Sequence, residues 1–486
     1  MREHYGASRQ VLATALTLGV GALFVLPEAA RAQPLVLQNG DTKVAIEPYA
    51  ATSALGSRAE VATNLGKIDT SLTAAFERGG GGLAASDTAW GVVRDPTAWT
   101  SNDFQLKAGW AFNPTTQMNL EAGDSQRRTR SSDAGDQLSI DQTSFLRLRG
   151  SLQGDRLNAQ FGADATTTAV TTEALDGGDP NRQWLTTRRL FASFDWKLSD
   201  QVSLQAGQSA QNLVVGWRGG GDVSSQASYL TPTVAIAVIP WIDAKWKLDA
   251  EQILTPINPA QFAAYAQLAT PGTGSAPQPD RGWRYGLELQ NQLPGGLDLT
   301  ARLNDWRYAS VTDLGPVGPG EAPVSIGPGS RQQIDLDLKA PLPPLGVGAT
   351  TLAGAVSLRR SQVTDPFTGQ QRSFSGESPY SAQLRLSGAA PLSALTWSVV
   401  ATANGPQNLY QMSQVTNLGA STGLGGAVTY GLGAVQVSLQ LDNVIGSGRQ
   451  VTTYNYMGSR ADGSISSVDR RDDDARAVRI MLKRGL

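Results

Sequence analysis

Charged residues set at alternate positions are the chemistry this sequence offers. Asp335, Asp337 and Lys339 alternate with Ile334, Leu336 and Leu338, and Asp243, Lys245 and Lys247 alternate with Ile242, Ala244, Trp246 and Leu248. Arg302, Arg359 and Arg385 stand in segments of the same kind. In an extended chain, side chains two apart share a face. Each set therefore puts its charges on one side and its apolar groups on the other. The signs are mixed, which suits a wetted wall that tunes passage along it rather than a strongly cation- or anion-selective one. For any single member of the set, solvation of such a wall is reason enough to be charged.

Other chemistry is sparse. There is no cysteine, and the one histidine is His4. Beyond the first residues the chain has no Cys nucleophile, no His-based triad and no His or Cys metal ligand. Thr364-Asp365 and Asp472-Asp473-Asp474 place carboxylates in loop-like stretches, where plain solvation competes with a surface cation site and is the reading favoured here. Gly79-Gly80-Gly81-Gly82 and Gly219-Gly220-Gly221 have no Lys and no helix behind them at the spacing of a phosphate loop, and read as flexible links. No catalytic residue, metal site or cofactor is expected, so the chain is not expected to be an enzyme. With 40 basic against 42 acidic residues, nothing points to nucleic acid.

The elements that position the charged residues are strands. Apolar and polar residues alternate in segments of about ten residues. The clearest run is Val435, Val437, Leu439 and Leu441 against Gln436, Ser438, Gln440 and Asp442. Short links join segments 104–112 and 118–122, 190–198 and 202–206, 283–289 and 297–303, 380–386 and 395–401, and 425–430 and 435–441, and these predict antiparallel hairpins. Long connections separate the hairpins, over 78–100, 255–280, 307–330, 364–378 and 445–474, all rich in Gly, Pro, Ser and Asp. Short turns alternating with long loops predict an all-β transmembrane antiparallel barrel of about 18–22 strands, with short periplasmic turns and long extracellular loops. Trp110, Phe112, Phe194, Trp196, Trp246, Trp283, Tyr285, Tyr380 and Trp397 fall on the apolar faces near segment ends, where interfacial girdles belong.

The N-terminus agrees with export. Arg2 and Arg9 precede an uncharged apolar run over 11–26, Pro27 ends it, and Ala30-Arg31-Ala32 offers small residues for cleavage. The expected organisation is a cleaved signal peptide at 1–32, a segment without assigned structure at 33–55 and a barrel over 56–486, placed in the cell outer membrane of a Gram-negative bacterium.

From about Ser225 onward the wording of the sequence resembles the barrel of TonB-dependent outer-membrane receptors. Ser361-Gln362-Val363-Thr364-Asp365-Pro366-Phe367-Thr368-Gly369 is similar to a loop these receptors place after a late strand, and Ser375-Gly376-Glu377-Ser378-Pro379-Tyr380 re-enters the barrel as theirs does. Leu439-Gln440-Leu441-Asp442-Asn443 resembles the end of their penultimate strand. The resemblance implies uptake of a small solute across the outer membrane. It covers the barrel portion only: strand-like alternation starts so early that the family's plug domain is apparently missing, and Gln33 to Gly40 shows no convincing TonB-contact segment. A plugless wide lumen leaks unless loops fold inward or a separate plug or lipoprotein subunit seals it. The alternatives are thus a passive porin or a structural or assembly partner in an outer-membrane complex. The expected partners are outer-membrane lipid and a small solute of unknown identity.

Overall fold

The computed structural model describes residues 35–484 apart from 40–41, 52–53, 65, 81–82, 86–91, 95–97, 132–136, 175–178, 220–221, 269–276, 319, 343–348, 391–393, 433–434, 445–447 and 474–476. The signal-peptide reading of residues 1–32 lies outside the described residues.

Alternation of aliphatic, aromatic and β-branched residues with polar ones becomes two faces once the chain is pleated. The largest sheet of the described residues has 22 strands. The expected hairpins are in it. Ala98–Asn113 pairs with Thr116–Ser131, Asp280–Leu293 with Leu297–Ser310, Tyr380–Ala389 with Leu395–Asn404, and Ser421–Leu432 with Val435–Asp442, all antiparallel. The turn between Leu293 and Leu297 needs Gly295 and Gly296, whose φ angles of 87° and 78° are resisted by residues with a Cβ. The sheet also starts earlier than the alternation reveals. Leu35–Asn39, Thr42–Ala51 and Ala54–Asn64 are successive antiparallel neighbours, so strands occupy most of the 33–55 segment.

The chain divides into two compact units. The first is Met1–Asp195, Gly207–Leu230 and Asn258–Ala266; the second is Trp196–Ala206, Thr231–Ile257 and Gln267–Leu486. In the first unit one cross-strand row reads Val44, Val61, Leu72, Leu106, Ala122, Leu146 and Ala165. The adjacent row reads Lys43, Ala62, Ser71, Lys107, Glu121, Arg147 and Asp164. In the second unit an apolar row reads Leu248, Leu287, Leu303, Ile334, Leu358 and Tyr380, and the polar row beside it reads Lys247, Glu288, Arg302, Asp335, Ser357 and Ser381. A one-residue slip anywhere would exchange the rows, so the pattern specifies the register.

The apolar rows are the exposed ones. Leu248 is 56% exposed, Leu303 49%, Ile334 43% and Leu358 48%. The residues buried to a tenth or less are instead mostly small or polar, among them Ala45, Ala169, Ala235, Ser209, Asn304 and Thr350. A water-soluble sheet does the reverse.

The long connections carry secondary structure of their own. Helix Pro259–Leu268 interrupts 255–280, with proline at its first position and Asn258 as its cap. Asn258 Oδ1 accepts from the Ala260 backbone N–H at 2.8 Å, and Phe262 is fully buried. Hairpin Thr312–Val317/Gly320–Ser325 fills 307–330. Gln407–Tyr410, Gln414–Leu418, Arg449–Tyr456 and Ile465–Asp473 build a separate four-stranded sheet from two connections.

Candidate functional site

The second unit holds two polar arrangements: an ion-paired face on the sheet, and a buried cluster among the connections. On the sheet, Arg302 lies between carboxylates of the strands on either side. Its Nε donates to Glu288 Oε2 at 2.9 Å and its Nη1 to Asp337 Oδ2 at 2.6 Å. A second group repeats the motif. Arg284 Nη2 donates to Asp249 Oδ2 at 2.7 Å, and Arg284 Nε lies 2.9 Å from Glu251 Oε1. Gly286, opposite Asp249, makes the space, since a Cβ there would sit 2.7 Å from Asp249 Oδ1. A third runs along one strand: Arg331 pairs with Glu377 at 2.8 Å and donates to Gln333, and Gln333 donates to both oxygens of Asp335. The Arg331 guanidinium also lies over the Trp306 ring, 5.1 Å from its centroid.

The buried cluster centres on Asp365, just beyond strand Thr350–Thr364, and this residue is only 2% exposed. The solvated-loop reading of Thr364-Asp365 is therefore corrected. One carboxylate oxygen accepts the backbone N–H groups of Phe367 and Thr368 at 2.9 and 3.0 Å, a local turn that an aspartate favours. The other accepts Arg372 Nε at 2.6 Å and Arg460 Nη2 at 2.7 Å. Arg372 reaches on to Asp313 in the 312–325 hairpin at 3.0 Å, and both guanidiniums lie over the Tyr410 ring. Glu321 of that hairpin accepts the Met412 backbone N–H. Asp365 thus ties together connections whose residues are up to 95 positions apart. Burial pushes its carboxyl toward the neutral form. Hydrogen bonds from Arg460, the Phe367 and Thr368 backbone and Arg372 outweigh that and hold its pKa below the ordinary carboxylate value.

Apart from Asp243, the charged residues singled out from sequence share the polar parity of the sheet. On the strands, Lys245 faces Gln290, Lys247 faces Glu288, Arg302 faces Asp335, Asp337 faces Thr300, Lys339 faces Asp298, Arg359 faces Gln333 and Arg385 faces Ala353. Asp243 lies in the turn before strand Ala244–Thr255 and its backbone carbonyl accepts from Gln292 N. Arg302 and Asp337 are brought into direct contact, and Asp335 enters the Arg331–Gln333 chain. Lys245, Lys339 and Arg385 remain exposed on the same face, and Lys247 is half-buried. Sequence reasoning did not single out Arg284, Glu288, Asp249 and Glu251: the last two belong to the alternating run with Leu248 and Ala250, and the alternation of Arg284 and Glu288 with Tyr285, Leu287 and Leu289 was there to be read. The Asp365 cluster carried no such local signal.

No protein-family model matches the sequence, and no curated protein does. Solved structures do match in fold. The siderophore receptor PiuA from Acinetobacter baumannii aligns over 92% of this chain and 78% of its own, with a TM-score of 0.65 at 9% identity. The ferric yersiniabactin uptake receptor FyuA from Yersinia pestis aligns over 92% and 76%, with a TM-score of 0.63 at 14% identity. The copper transporter OprC aligns over 85% and 73%, with a TM-score of 0.63 at 9% identity. At these identities the likeness is one of fold.

Proposed function

We propose that the chain is a transmembrane β-barrel of the Gram-negative outer membrane, of the TonB-dependent receptor type, and that it admits a small solute through a mouth organised by its long connections. One observation carries the reading: rows of exposed leucine, isoleucine and aromatic side chains run in register across strand after strand, and rows of paired charges lie on the opposite face. Water does not tolerate so wide an apolar band, whereas lipid requires it. Lipid also requires every backbone N–H and C=O to be paired, which closes the sheet and leaves the polar face around a lumen. The names of the fold's solved counterparts, which include a siderophore receptor and a copper transporter, support solute uptake. In this reading the polar set from Asp243 to Arg385 lines the path, and the Asp365 cluster holds the loops at its mouth. The same reading makes residues 1–32 an export signal.

Single-channel recording of refolded protein in a planar bilayer tests this. The expected wild-type behaviour is a heat-modifiable, folded barrel with little or no steady conductance, and conductance should appear when Asp365→Ala frees the loops. Large steady steps from the wild type would replace uptake with passive diffusion. A barrel silent in both forms would mean that the chain seals itself without the Asp365 cluster, and would remove that cluster from the gate. In the Asp365→Ala background, Arg302→Ala leaves Glu288 and Asp337 without their shared cation. Reversal potentials should shift toward cation preference, while stability changes by only about 1 kcal/mol because the group is 40% exposed. An unchanged reversal potential would remove Arg302 from the path.

A further inference from the structure

The first unit has a groove of about 590 Å³ on its apolar face. Leu146, Leu148, Leu190 and Leu230 line it, 51%, 37%, 64% and 59% exposed, and Ala165 lies between them as the cross-strand partner of Leu146. Two cations belong to the same lining, Arg188 and Arg189. In strand Asn181–Lys197, Leu190 and Phe194 are exposed at even positions, and Arg188 continues that row. Its neighbour Arg189 takes the other parity and lies over the Phe191 ring, 5.1 Å from the centroid. Arg188 is exposed and forms no ion pair with a described residue. Asp164, the carboxylate of the lining, is directed to Arg149 in the polar row, 3.9 Å away.

The position of Arg188 along the strand is informative. Beyond it, toward the start of the strand at Asn181, the row turns polar at Thr186, whose hydroxyl meets that of Thr167 at 3.1 Å. On its other side the row is Leu190, Ala192 and Phe194. The guanidinium therefore stands at the margin of the apolar band, directly above a groove with leucine walls. In a membrane wall that margin is where headgroups lie, and a guanidinium matches a phosphate bidentately. Solvation alone would not place an arginine in the same row as the leucines of an apolar groove.

We propose that this groove binds one acyl chain of a phosphorylated membrane lipid, and that Arg188 holds the headgroup phosphate. The inference rests on the outer-membrane reading above. Native mass spectrometry of the detergent-solubilised protein tests it, with phosphatidylglycerol and phosphate-free diacylglycerol of equal chain length at equal concentration. The wild type should retain phosphatidylglycerol preferentially. Arg188→Glu should weaken that retention roughly tenfold to a hundredfold. Ala165→Phe, which fills the groove, should weaken retention of both lipids. Inorganic phosphate without a chain should not compete at the same concentration. Equal retention of the two lipids by the wild type, undiminished phosphatidylglycerol on Arg188→Glu, or full competition by inorganic phosphate would each overturn the lipid site while leaving the barrel intact. A wild-type chain with no heat-modifiable form would overturn the membrane reading itself, and the lipid site with it.

Discussion

Asp365→Asn should loosen the extended connections while the sheet stays folded. The substitution keeps the shape of the side chain and removes the charge that Arg372 and Arg460 share, and those guanidiniums are only 6% and 7% exposed. Removing one partner of a buried ion pair costs about 3–5 kcal/mol because the remaining charge stays desolvated. Part of that returns through Asp313, which still pairs with Arg372, so the lower end of the range applies. Hydrogen exchange reads the effect where it occurs. Amides of Arg449–Tyr456 and Gln414–Leu418 should exchange on the order of a hundredfold faster, and those of Gly329–Leu342 should not change. Unchanged exchange in the small sheet would mean that Asp365 does not hold it. Acid should do reversibly what the substitution does permanently. The carboxyl is held below its ordinary value in the folded protein, so its stabilisation is complete above the unfolded pKa of about 3.9. It is lost as pH falls below that and through the folded pKa. Exchange in the same strands should therefore accelerate below about pH 4 in the wild type and show no such step in Asp365→Asn.

The second large effect separates the two faces. Leu336 is 43% exposed near the middle of strand Gly329–Leu342, and Thr300, one strand over, is on the polar parity opposite Asp337. Arginine on the lipid side near the midplane costs about 2–4 kcal/mol, and on a wetted wall it costs little. Leu336→Arg should lower the unfolding free energy in lipid vesicles by that amount and reduce the heat-modifiable fraction. Thr300→Arg should stay within about 0.5 kcal/mol, helped by the facing carboxylate. Equal costs at the two positions would mean that both faces meet the same medium.

The sheet was legible because its signal is local. Period-two alternation and short turns are complete within about 25 residues, as in the strands joined through Gly295-Gly296, and the expected hairpins over 104–122, 283–303, 380–401 and 425–441 are formed. Thr42–Ala51 was harder to see because Pro48 interrupts a strand pattern that Val44 and Ile46 otherwise support. The helix at Pro259–Leu268 was missed because its apolar residues lie inside a stretch punctuated by Pro and Gly, where only the Asn258-Pro259 start signal betrays it. The Asp365 cluster could not be read at all. Asp313, Arg372 and Arg460 belong to different connections, 59 positions from Arg372 to Asp313 and 95 from Asp365 to Arg460, and nothing in the wording around any of them announces the others. The phrase from Ser361 to Gly369 marked the place, just past a late strand, but not the burial that gives the aspartate its role.

The chain contains no cysteine, so one can be placed anywhere without background. The most direct test of the two-faced wall is single-cysteine scanning of residues 334–339 in lipid vesicles with a membrane-impermeant thiol reagent. Cysteines at 335, 337 and 339 should be labelled through the aqueous lumen, and those at 334, 336 and 338 should stay unlabelled until detergent is added. Uniform labelling along the strand, or labelling of the even positions alone, would contradict a membrane-embedded barrel with a polar interior.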